Sequence, residues 1–370
     1  MTDTTAGRSA TAETGKERIA WVDYSKGIFS IAVVCLYATY YVQDAQGGKG
    51  WMQYWVDFAA PFRMPDFFLL AGLFLSATIT RPWRSFLDTK VVHFVYFLVL
   101  WTSLYFILHL IQDARGPADP PLWLDYLHWY VDPFHMLWFI ELLPVFYVVT
   151  RLLRRVPVFI VFAAAAALQI ATIDSGWAQL DRFCERYVYF YAGYALAPLA
   201  FRIAAWAGQQ RVAALAILMV WAVANEALVL AGMAGQPVIA LALGFAGAVG
   251  VIVAGSLLSR YGWMNWLRYL GEHSIVVFLA FFLATAVTAR LLDSLDIVED
   301  IGTQQLIVIV ASLIAPFILR RILRGTPGRY LFERPDWARL VRGPRDARHP
   351  RQASSPGTAP ASRVSSARET

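Results

Sequence analysis

The sequence predicts an all-α, polytopic membrane bundle of about ten spanning helices. Three observations lead there. The 370 residues are 58% hydrophobic and only 16% charged, too apolar for an ordinary soluble domain. Apolar runs of about 20 residues, long enough to cross a bilayer, recur along the chain. Basic and acidic residues alternate from one connecting loop to the next, which the positive-inside bias explains.

The runs fall at 21–42, 55–79, 91–111, 134–153, 157–173, 183–204, 212–233, 238–258, 273–291 and 301–323. The first, WVDYSKGIFSIAVVCLYATYYV, is too long for a signal-peptide core and follows a polar leader over residues 1–20. The second holds Pro61 and Pro65, which distort a helix and free some of its carbonyls. The fifth is short. The eighth, LALGFAGAVGVIVAG, is rich in small residues that suit close helix packing.

With the N-terminus inside, the inner loops carry Arg81, Arg84 and Lys90, then Arg151, Arg154 and Arg155, then Arg202 and Arg211, then Arg260 and Arg268. The outer loops carry Asp44, then Asp113, Asp119, Asp125 and Asp132, then Asp174 and Asp181, then Asp293, Asp296, Glu299 and Asp300. An even number of spans in an inner membrane, with both termini cytoplasmic, follows from that alternation. The domain proper runs over 21–324. Residues 325–370 turn to Arg, Pro, Ser and Ala, a composition that predicts a disordered cytoplasmic tail.

Several chemistries are excluded. The net charge of +6 is no nucleic-acid signature, because the basic residues gather at one set of loops and in the tail. Two cysteines, Cys35 and Cys184, lie in or beside apolar runs, so neither a disulfide nor a metal site is expected. There is no nucleophile elbow, Walker loop or zinc motif. His93, His109, His128, His135 and His273 fall near segment ends and read as interfacial.

Charged and polar residues inside the runs are the candidates for function. Lys26 and Tyr37 are eleven residues apart, roughly three turns or about 16 Å along one helix face. Asp23 and Ser30 flank Lys26 on that face. This polar seam either faces a cavity or consists of a snorkelling lysine and an interfacial tyrosine. Arg63 lies well inside the second run, where a central arginine costs about 2.5–3.5 kcal/mol, and Asp66 one turn on is a possible ion partner. Glu141 in the fourth run and Asn225 and Glu226 in the seventh are similarly deep. Tyr37, Arg63, Glu141 and Glu226 lie at similar depths, on the order of 8–12 Å from the outer edge, so one outward-opening pocket is expected. Arg81 and Arg84, spaced i and i+3, read either as positive-inside anchors or as a phosphate clamp.

These motifs resemble the family-3 membrane acyltransferases, polytopic enzymes that O-acylate carbohydrates on the far side of a membrane. That family opens with an Asp, a base three residues on, a Gly, and a His eleven residues past the base. Here the series is Asp23, Lys26, Gly27 and Tyr37, so a tyrosine stands in the histidine's place. PFRMPDFFLLAGLF resembles the second helix, RPWR from Arg81 to Arg84 the cytoplasmic Arg-x-x-Arg, LWFIELLPVFYVV the fourth helix and LGEHSIVVFLAFF the ninth. The resemblance spans residues 18–335.

It implies transfer of an acyl group from a cytoplasmic acyl-CoA-type donor, the co-substrate, to a hydroxyl of an extracytoplasmic carbohydrate or lipid-linked acceptor, with no other cofactor. Asp23, Lys26, Arg81 and Arg84 would serve the donor, the arginines on its phosphates. Arg63 would orient a polar group or stabilise developing negative charge. Tyr37 would donate or position a proton, and Glu141 would act as the base. Membrane lipids are the remaining partners and no nucleic acid is among them. The alternatives are a family member that binds a glycan, lipid or partner without turnover, and a small-molecule transporter.

Overall fold

In the computed structural model, the described residues are 19–112, 120–132 and 137–341. His135, the acidic positions Asp113 and Asp119, and the tail from residue 342 lie outside them. The described residues form fourteen α-helices and no strand. They are α1 Ala20–Gln46, α2 Gln53–Gly72, α3 Trp83–Leu87, α4 His93–Gln112, α5 Leu122–Val131, α6 Trp138–Leu152 and α7 Val158–Ile170. The second half comprises α8 Ala178–Ala195, α9 Ala197–Gln209, α10 Arg211–Leu230, α11 Pro237–Leu258, α12 Asn265–Glu272, α13 Ser274–Leu295 and α14 Ile301–Leu323. A π-helical turn, Asp88–Val92, joins α3 to α4.

Each predicted run meets a helix, but the runs are not ten uniform rods. By length and composition, six of the described helical stretches could cross a membrane: α1, 83–111, α10, α11, α13 and α14. The pair α8–α9 would make a seventh, but it is bent by 73°. Pro198 near the start of α9 has no N–H to give to the carbonyl one turn back, so the helix breaks there. The second run was expected to stay helical to residue 79; α2 stops at Gly72 and the chain turns through 73–81. Arg81 and Arg84 therefore do not share a helix face: Arg81 precedes Pro82 and Arg84 lies in the separate α3.

Packing centres on α1, which touches α2, α11, α12, α13 and α14. Its closest crossing is with α12. A Cβ on Gly27 would collide with the carbonyl oxygen of Leu267, and one on Gly271 with that of Asp23. Both glycines are motif positions, and their physical reason is this backbone-to-backbone approach. The α2–α8 crossing works likewise through Gly72 and Gly193. Polar side chains repair α2 around its prolines: Asn225 Nδ2 donates to the Phe58 carbonyl at 2.8 Å and Arg63 Nη1 to the Val56 carbonyl at 3.3 Å. Asp300 caps α14, accepting from the Thr303 hydroxyl and N–H at 2.7 and 2.6 Å, and these bonds hold its carboxyl below the usual range.

The chain after α14 departs from expectation. Residues 325–341, predicted to be disordered, form a strap folded onto α4. Trp101 Nε1 donates to the Leu331 carbonyl at 2.9 Å and Tyr96 to that of Tyr330 at 3.0 Å. Phe332 is buried against Trp101, with ring centroids 5.8 Å apart. One aromatic and a few directed hydrogen bonds anchor a segment whose composition suggested no core.

Candidate functional site

Lys26 and Tyr37 project into cavities at opposite ends of α1. The first cavity, about 290 Å³, is lined by Lys26 of α1, Lys90 of the π turn, His93 of α4, Tyr147 of α6 and Ser274 of α13. Its volume is at the lower bound of small-molecule sites, about 300–1,000 Å³. Lys90 Nζ lies 4.4 Å from the centroid of the Tyr147 ring, whose hydroxyl donates to the Ala71 carbonyl at 3.1 Å. The mouth is cationic and the floor is aromatic. Phe29 packs on Phe67 at 4.6 Å, Phe67 on Phe139 at 5.0 Å, Phe139 on Phe278 at 5.1 Å and Phe278 on Phe29 at 5.2 Å.

The second cavity is larger, about 690 Å³, and is lined by Tyr37, Tyr40, Tyr41, Gln43, Asp44 and Phe282 among others. Tyr37 leans on Phe281 at 5.8 Å. Phe278 and Phe282, one turn apart on α13, line one cavity each. Successive turns of α13 thus give each space one phenylalanine.

Around Tyr37 the polar groups form a chain. Trp138 Nε1 donates to the Tyr37 hydroxyl at 3.2 Å. The Trp138 ring has the Arg182 and Arg186 guanidiniums 5.3 and 5.1 Å from its centroid. Gln179 Nε2 donates to Glu141, and Arg182 Nη1 to Gln179 Oε1 at 3.4 Å. Trp138 and Glu141 are i and i+3 on α6, so Tyr37 and Glu141 meet one network without touching.

The predicted site residues are gathered only in part. Tyr37 lines the second cavity, and Arg63, Glu141 and Glu226 are not among its lining residues. Arg63 is buried on α2 within electrostatic reach of Tyr37, and it makes no ion pair with Asp66. Lys26 lines the first cavity; Asp23, one turn earlier, is buried at the α12 crossing. Arg81 and Arg84 are exposed and absent from the cavity lining, and the Arg81 carbonyl accepts from Arg151 Nη2 at 2.6 Å.

Sequence reasoning missed Lys90, because a lysine at a helix entry looks like a topological anchor, and read His93 as interfacial. The spacing of Lys90 and His93, i and i+3 at the start of an apolar run, was the available signal. Trp138, Gln179 and Arg182 gave none, since only the α6–α8 packing brings them to Tyr37.

No curated protein and no solved structure matches the chain. A family model described as an acyltransferase domain matches residues 19–321. That is most of the chain, and it includes every helix that lines either cavity. The protein therefore belongs to the family-3 membrane acyltransferases.

Proposed function

We propose that the protein moves an acyl group from an acyl-CoA-type donor, bound at the first cavity, to a hydroxyl of a carbohydrate or related acceptor in the second. The observation that supports this is the pair of cavities along one face of α1, the first lined by Lys26 and the second by Tyr37, with Phe278 and Phe282 of α13 one turn apart in their two linings. Lys26 and Lys90 carry the charge that attracts an anionic donor, and the apolar interior takes its acyl arm. A cavity of about 290 Å³ suits that arm rather than a whole nucleotide thioester. The phosphates then stay outside, where Arg81 and Arg84 precede Lys90 on the same stretch of chain.

In the reaction the acceptor oxygen attacks the thioester carbonyl. The C–O bond forms, the C–S bond breaks, Glu141 takes the acceptor's proton as the base, and the thiolate leaves and is protonated in its turn. The indole N–H can only donate, so Tyr37 is the acceptor in its contact with Trp138 and its own proton serves as the donor to the reacting oxygen. Arg63 adds positive charge within reach of the same position.

Acetyl-coenzyme A binding to the full-length protein in lipid nanodiscs tests the donor half. Lys26→Ala and Lys90→Ala should each weaken it by roughly 1.5–3 kcal/mol, tenfold or more, while Arg202→Ala, outside both cavities, should not. Equal affinity in all three variants would remove the first cavity from the mechanism.

A further inference from the structure

The strap after α14 lies beyond the residues that the family model covers, 19–321, yet it reaches the wall of the first cavity. Its contact is with Asp88, the first residue of the π-helical turn. Arg334 Nη2 donates to both Asp88 carboxylate oxygens at 3.0 Å, and Nη1 donates to the Asp88 carbonyl at 2.7 Å. The Leu340 N–H adds a third bond to the carboxylate at 2.7 Å. Both side chains are under a tenth exposed, at 9% for Arg334 and 8% for Asp88. A guanidinium bridging both oxygens of a shielded carboxylate, with two supporting bonds, is a strong geometry for fixing a turn.

The turn has reason to need fixing. A π turn is rare and occurs mostly as a single-turn bulge inside an α-helix. Relaxing it to α changes the register by one residue, a rotation of about 100° for everything on one side relative to the other. Lys90 sits within that turn and His93 directly after it, and both line the cavity.

We infer that Arg334 is a positioning residue for the first cavity: through Asp88 it holds the π turn in the register that aims Lys90 inward. The strap is then part of the donor site rather than a mere tie-down of α4. The functional consequence rests on the donor reading above; the positioning itself does not.

Two readouts on the full-length protein in nanodiscs keep these apart. The first is the rate at which an N-hydroxysuccinimide acetate probe modifies Lys90, measured by peptide mass spectrometry against Lys49 as internal reference. The second is affinity for acetyl-coenzyme A. Arg334→Ala should change Lys90 modification several-fold relative to Lys49 and weaken acetyl-coenzyme A by about tenfold. Arg334→Lys, which keeps the charge but not the fork, should recover part of both. In a Lys90→Ala background, Arg334→Ala should cost less than about twofold, since its route of action is gone.

Fully additive losses, or Lys90 modification unchanged in Arg334→Ala, would overturn the inference. If wild type does not bind acetyl-coenzyme A, the donor reading falls and Lys90 modification alone decides the positioning. Should Arg334→Ala not fold, Asp88→Asn, equal in shape but uncharged, is read the same way.

Discussion

Tyr37 decides how this site can work. A tyrosine has a reference pKa near 10, so in the proposed reaction it serves at neutral pH as a proton donor rather than a base. The Trp138 contact fits that role, because it occupies the phenol oxygen as an acceptor. A base must come from elsewhere, and Glu141 is joined to the same network through Gln179 and Arg182. Tyr37→Phe should therefore lower acyl transfer by about 10²- to 10⁴-fold, the range for acid–base groups. Trp138→Phe, which removes the indole N–H with its hydrogen bond and trims the ring beneath Arg182 and Arg186 while keeping an aromatic face, should cost at most about tenfold. Thiol release from acetyl-coenzyme A in proteoliposomes reads both. Tyr37→Phe turning over like wild type would leave the tyrosine as lining only. The i, i+11 relation of Lys26 and Tyr37 was legible in sequence because it is local to one helix. The network on Tyr37 was not, since its members come from α6 and α8, whose meeting point depends on long-range packing.

Among the elements, the α1–α12 crossing gives the motif glycines their reason. Asp23, Lys26 and Gly27 share one turn, and Gly27 lets α12 lie against the backbone beside Lys26. Gly27→Val would drive a branched side chain into the Leu267 carbonyl. Overpacking of this kind costs roughly 1–3 kcal/mol, with backbone collision at the upper end. Thermal unfolding in detergent should show a clear drop for Gly27→Val and none for Gly262→Ala, whose new methyl meets open space. Equal melting of the two would mean the crossing is looser than described. Helix positions could be read from hydropathy because burial in lipid or protein demands long apolar runs. Their interruptions could not. The 73° bend at Pro198, the stop at Gly72 and the folded strap each depend on a single residue or on directed hydrogen bonds, which composition averages away.

At the scale of the molecule, the bundle holds two cavities, one lined by Lys26 and the other by Tyr37. In the proposed reaction the acyl group passes from the first cavity to the second while the rest of the donor stays behind. The alternation of basic and acidic loops predicts the direction, with Lys26 and Lys90 toward the inner side and Tyr37 toward the outer. Sealed, oriented vesicles test that arrangement without knowing the acceptor. In a background with Cys35 and Cys184 replaced by alanine, a single cysteine is placed at Gly48, on the rim of the second cavity, or at Arg84, beside the first. A membrane-impermeant maleimide should label Gly48→Cys only from outside and Arg84→Cys only from inside. Labelling of both from the same face would contradict a transfer path running between two sides of the membrane.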